Sequence, residues 1–223
     1  AASIARSIWS PGNIQNKPGG GMADQIKVLM NPGRLLIYAS TELVYGGVFT
    51  SVTVRAPMMQ EQAGFAARMV SWILLAYGVS VAIGNIWGGK LADRHGAVKA
   101  LTIIFAALAA LLLIFQFTSG FGIPALITLL VMGIFAFGNV PGLQVYVVQK
   151  AEEVTPNAVD VASGLNIAAF NVGIALGSVI GGQVVSTMGL AQTPWIGAVI
   201  VAGALLLIRL SGRLDRKPKV ALS

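Results

Sequence analysis

An all-α membrane protein, a bundle of six transmembrane helices, is the fold class this sequence predicts. Three observations carry it. Of 223 residues, 56% are hydrophobic and only 10% are charged, against about 25% charged in a typical soluble domain. Mean hydropathy is +0.79. The apolar residues also gather into six windows, each close to the roughly 20 residues that a helix needs to cross the hydrocarbon core. Lipid offers no partner for open backbone groups, so a helix, which satisfies them within one segment, is the element expected in each window.

The windows are 35–57, 69–89, 100–118, 124–148, 161–187 and 194–210. Helix breakers separate them: Asn31-Pro32-Gly33 before the first, then Gln60-Glu61-Gln62, a charged stretch ending at Gly96, Ser119-Gly120, Glu152 to Asn157, and Thr193-Pro194. Pro124 and Pro194 suit a first helical turn, where the absent N–H leaves no bond unmade. Residues 1–32 read as a cytosolic linker, because Pro11-Gly12 and Pro18-Gly19-Gly20-Gly21 preclude a stable element; Met22 to Met30 has the pattern of a short juxtamembrane helix. The bundle then occupies 33–212, and 213–223 form a basic cytosolic tail. The first 30 residues lack the apolar core of a signal peptide, and the chain begins with Ala1, so a fragment of a longer protein is expected.

Charge placement gives the orientation. The net charge of +7 would suit nucleic acid if it lay on a soluble face, but it does not. Six crossings put both ends on one side, and 13 of the 15 Lys and Arg fall on that side; Arg55 and Arg68 are the exceptions. By the positive-inside rule both termini are cytosolic, and no nucleic-acid partner is expected. Trp72 and Trp195 then fall near the outer interface and Trp87 near the inner one. With no Cys and a single His, His95, neither a disulfide nor a metal cluster is expected, and no cofactor is implied. That lone histidine sits in a loop, so a buried Ser–His pair is excluded and an intramembrane enzyme is not expected.

The most specific stretch is Gly89-Lys90-Leu91-Ala92-Asp93-Arg94-His95-Gly96, a glycine-bracketed charged hairpin between the second and third spans. It resembles the loop signature of the major facilitator superfamily of transporters, with Ala97-Val98 where two basic residues usually follow. Three further stretches resemble the drug:proton antiporter branch that includes arabinose and sugar efflux permeases. They are Val140-Pro141-Gly142-Leu143-Gln144, Asn166 to Gly173 running into Gly177 and Gly181-Gly182, and Phe49-Thr50 with Thr53 and Pro57. Together they cover residues 27–215 in the order of a carboxyl-terminal half. The chain departs from the branch at Val52, Val54, Tyr146 and Ile174, and carries Glu42 where an apolar residue is usual.

The resemblance implies one half of a twelve-helix fold, whose amino-terminal six-helix half is a partner in the same transporter. It further implies proton-coupled efflux of a small molecule such as a drug or sugar across a bacterial inner membrane. A non-transporting six-span scaffold or receptor half is the alternative, distinguished by the lack of a concave polar face.

Within this frame the hairpin residues Gly89, Asp93, Arg94 and Gly96 are gating candidates, since an aspartate can hold a helix N-terminus in one conformation and release it in another. Intramembrane polar groups seek a cavity or a partner helix, which makes Thr50, Thr53, Asn139, Gln144 and Asn171 substrate-cavity candidates. Asn166 and Asn171 are five residues apart, about 140° around a helix. Asn166 is therefore assigned to a helix seam and Asn171 to the cavity, while Asn139 and Gln144 share the spacing and leave the choice open. Gly173, Gly177 and Gly181 recur every fourth residue and permit close helix approach. Pro141 removes a helical hydrogen bond and marks a candidate hinge. Glu42 is the one carboxylate inside a window. It is read either as a proton or cation site or as an interfacial group reaching cytosolic water.

Overall fold

The computed structural model describes residues 32–154 and 156–215. The expected linker, the short helix expected within it and most of the expected basic tail fall outside these residues. Six long helices follow in order: α1 Pro32–Val52, α2 Ala67–His95, α3 Ala97–Thr118, α4 Gly122–Val154, α5 Val159–Met188 and α6 Thr193–Asp215. Each anchors a segment long and apolar enough to cross a membrane. No strand occurs among the described residues.

The helices overrun the apolar windows, and for definite reasons. The first span does not end at 57. After a break at Thr53 and Val54 it resumes as one turn, Arg55–Pro57, and a π-turn, Met58–Gln62. Met58 and Met59 are fully buried there, and that apolar anchor holds the Gln60-Glu61-Gln62 stretch in helical form. At the other end of the bundle, α2 continues as helix through Gly89 to His95, so the expected hairpin contracts to a single residue. Gly96 makes the turn with φ of +80°, a conformation that favours glycine. The 33 residues of α4 span about 50 Å, well beyond the roughly 30 Å hydrocarbon core. Its carboxyl-terminal turns therefore stand in a polar layer. We call this end, which carries Lys90, Arg94, Lys99, Lys150, Arg209 and Arg213, the basic end.

Packing follows a pattern that exchange of the first three helices with the last three leaves unchanged. α2 lies along α4, and α5 lies along α1; α1 packs on α6, and α4 on α3; α3 meets α6. Since α1 runs away from the basic end and α4 towards it, the two triplets are inverted repeats, an arrangement used by many transporter folds. Between them α3 supplies the apolar wedge: Leu101, Ile104, Phe105, Leu108, Leu112 and Phe115, at three- and four-residue spacing, are each at most 1% exposed. The helices differ in burial. Only 22% of the most apolar window of α2, and likewise of α5, is buried, against 67% in α1. The lateral flanks of α2 and α5 are thus the faces this bundle leaves most open.

Glycines set the closest approaches. A Cβ at Gly84 or Gly88 of α2 would collide with backbone of Ile134 or Gly138 on α4. In the other repeat, a Cβ at Gly173 or Gly177 would collide with the carbonyls of Glu42 or Gly46, and one at Gly181 would lie 2.6 Å from the Thr50 carbonyl. These contacts pair α1 with α5 in parallel register. They also equate Gly46 with Gly138, and Glu42 with Ile134, across the repeats. Gly47 and Gly197 face each other where α1 crosses α6.

Candidate functional site

Polar side chains join α1, α4 and α5 in a seam. The Thr41 hydroxyl donates to Asn166 Oδ1 at 2.7 Å, and Asn166 Nδ2 donates to Gln144 Oε1 at 3.2 Å. Asn166 thus lies between helices, bonded to α1 on one side and α4 on the other. One turn along α1, Tyr45 Oη donates to Asn139 Oδ1 at 2.8 Å, and Asn139 Nδ2 returns to the Ala136 carbonyl at 2.9 Å. Both residues are sealed: Asn139 is 0% exposed and Tyr45 is 1%. Aromatic rings close over them, with the Phe170 centroid 4.0 Å and the Phe137 centroid 6.2 Å from that of Tyr45. The four-residue stripe Thr41, Tyr45, Phe49 on α1 is the sequence signal for this cluster, but it reads equally as ordinary helix packing.

The cavity candidates distribute unevenly around this seam. Asn139, a cavity candidate whose side the spacing left open, is enclosed by Tyr45. Thr50 is also buried, its hydroxyl returned to the Gly46 carbonyl at 2.8 Å, because the α1–α5 glycine contact leaves it no opening. Gln144 is half-buried and faces Asn166. Thr53 and Asn171 are exposed, each bonded to the carbonyl four residues earlier at 2.8 Å. The five-residue spacing therefore separates Asn166 from Asn171, one inward and one outward, whereas Asn139 and Gln144 both face neighbouring helices. Pro141 lies within α4, and its ring packs near Gly89 of α2.

Glu42 is placed by backbone. Its main chain sits against Gly173, the fifteenth residue of the thirty-residue α5, which puts it near that span's midpoint. The side chain is half-buried and makes no hydrogen bond or ion pair among the described residues. Its counterpart in the other repeat is apolar Ile134, so the fold itself does not call for a carboxylate here.

At the basic end Lys90, Asp93, Arg94 and His95 project into solvent. Neither Asp93 nor any other side chain caps α3. The hairpin glycines have unequal roles: Gly96 turns the chain, whereas Gly89 is a helical residue facing Pro141. A second cluster, not singled out by the sequence, ties α4 to α6. Tyr146 Oη donates to Asp215 Oδ2 at 2.6 Å and lies 2.8 Å from Ser211 Oγ. Lys150 Nζ sits 3.0 Å from Asp215 Oδ1 and 2.7 Å from Glu153 Oε2. Its members are scattered over 65–69 residues of sequence, so only the fold assembles it.

Six apolar helices in two inverted triplets, joined by a polar seam, define a multi-pass membrane protein. A family model described as Major Facilitator Superfamily matches residues 38–222, and the chain belongs to that family. It is 45% identical over 218 residues to the uncharacterized MFS-type transporter YtbD of Bacillus subtilis, covering 98% of this chain and 55% of the relative. Identity is 36% over 204 residues to the inner membrane transport protein YdhP of Escherichia coli K12, covering 88% and 51%. The putative transporter AraJ of Escherichia coli K12 is 29% identical over 185 residues, covering 82% and 45%. The chain thus spans about half the length of the curated relatives it matches.

Proposed function

We propose that this chain forms one six-helix half of a secondary transporter that exchanges protons for a small molecule, such as a drug or sugar, in the efflux direction. The observation that carries the reading is Glu42. An unpaired carboxylate at the middle of a span costs about 2.5–3.5 kcal/mol on insertion scales. Its counterpart is apolar, so the bundle fold does not call for a carboxylate here, whereas a proton or cation site does. Glu42 neighbours the Thr41–Asn166–Gln144 seam, whose amides supply hydrogen-bond groups to a polar substrate once helices α1, α4 and α5 shift. The open flanks of α2 and α5 suit apposition of a second six-helix half, with the substrate held near the midplane between the two.

The same reading places the basic end in the cytosol, in a bacterial inner membrane, as the Lys and Arg distribution favours. Asp93 and Arg94, which have no partner among the described residues, are then free to latch onto the opposite half in one state. Pro141 provides a bend in α4 during the exchange.

A Glu42→Gln variant of the complete carrier, reconstituted in vesicles under an imposed pH gradient, is the test. Transport of a panel of sugars, nucleosides and cationic drugs should lose its dependence on the gradient while substrate exchange persists. A full pH response in Glu42→Gln would remove Glu42 from proton coupling. Absence of transport for the whole panel by the unaltered carrier would count against the efflux reading.

A further inference from the structure

A cleft of about 740 Å³ opens at the basic end, where the turn between α2 and α3 meets the ends of α4 and α6. Its walls carry His95, Lys99, Lys150, Arg209 and Arg213 together with Glu153 and Asp215. Both carboxylates are engaged by Lys150. Among the described residues no carboxylate pairs with Lys99, Arg209 or Arg213, and the four Lys and Arg side chains of the cleft outnumber its two carboxylates by two. Surface lysines and arginines ordinarily point apart into water. Here a concave wall gathers them, with two guanidinium groups one turn apart on α6, a geometry suited to phosphate oxygens.

The surface next to the cleft is apolar and open. Ile103, one turn along α3 from Lys99, is 42% exposed. Leu206, two turns along α6 from Arg213 and on nearly the same face, is 61% exposed, and Leu210 between them is 46% exposed. A soluble anion would use only the charged half of this surface. An amphiphile uses both halves. We infer that this cleft binds the headgroup of an anionic phospholipid, its phosphodiester held by Lys99, Arg209 and Arg213 and its acyl chains laid over Ile103, Leu206 and Leu210. The site lies at the end of the bundle, well away from the Glu42 seam. Its test reads binding alone, so its failure leaves the transport reading untouched, and the reverse holds too.

The test is lipid retention by the complete protein, purified in detergent, exchanged against phosphatidylglycerol or phosphatidylcholine and measured by native mass spectrometry. The unaltered protein should retain phosphatidylglycerol in preference to phosphatidylcholine. Each basic residue near an anionic surface contributes about fivefold in affinity. Lys99→Gln and Arg213→Gln should therefore each weaken retention about fivefold, and the pair roughly twenty- to thirtyfold. Lys90→Gln, which removes equal charge from the same end outside the cleft, should leave it unchanged. Lys99→Arg with Arg213→Lys should retain binding, which separates lost charge from lost folding. Equal retention of both lipids, or equal loss in Lys90→Gln, would overturn the inference. So would displacement of phosphatidylglycerol by millimolar inorganic phosphate, which would mark the cleft as a site for a soluble anion.

Discussion

Gly177→Val should abolish the folded bundle, and even Gly177→Ala should lower the thermal midpoint by several degrees. A Cβ at this position meets the Gly46 carbonyl, carbon and Cα of α1. Backbone stands on both sides of the contact, so no flexible side chain can yield. Relief requires α1 and α5 to separate, which also strips the contacts at Gly173 and Gly181. Overpacking costs about 1–3 kcal/mol where side chains can rearrange, and this contact belongs at or above the upper end. Helix propensity acts in the opposite sense, since alanine is better than glycine by about 1 kcal/mol in a helix interior. Gly182→Ala provides the contrast. A Cβ there has nothing within 4 Å, so it should leave the midpoint unchanged or raise it. Thermal unfolding of the purified protein, followed by size exclusion, reads both variants. Equal destabilisation by the two alanines would show that register between α1 and α5 is not what the glycines secure.

Asn139→Leu has the second-largest expected effect. The substitution roughly conserves volume but leaves the Tyr45 hydroxyl buried without its acceptor. A buried polar group stripped of its partner costs about 1–3 kcal/mol, whereas replacing both partners with apolar groups of similar shape is close to neutral. Tyr45→Phe introduced into Asn139→Leu should therefore recover most of the lost stability. Denaturation of the single and double variants gives the coupling between the two side chains directly. If Tyr45→Phe brings no recovery, the bond at 2.8 Å is not what holds α1 to α4 at this depth.

Much of this architecture was legible in advance because lipid imposes a simple rule on the chain. Each apolar window had to be a helix, and the windows from 100 and from 161 match α3 and α5 to within three residues at either end. The windows erred where apolar content stopped being the deciding term. Gly89-Lys90 ended one in sequence, yet α2 runs on to His95 because a helix emerging from the membrane keeps its own hydrogen bonds in water. Gln60-Glu61-Gln62 ended another, yet Met58 and Met59, buried just before it, keep the segment coiled. The three glycines of α5 announced a close approach through their spacing, but spacing could not say which helix approached. That partner is α1, and the register puts Glu42 opposite the middle of α5.

The sequence by itself determined the six helices and the helical faces that needed small residues, because these depend on composition and on a period of 3.6. Tertiary structure alone decided which amides are sealed and which remain open. It turned Asn139 to Tyr45 and Asn166 to Thr41 while leaving Asn171 outside. It also brought Lys99, Arg209 and Arg213 to one cleft from helices more than a hundred residues apart in the chain. The reason is geometric. A local pattern specifies the face a residue occupies on its own helix, but what that face meets depends on crossing angles and register, which the packing of all six helices settles together.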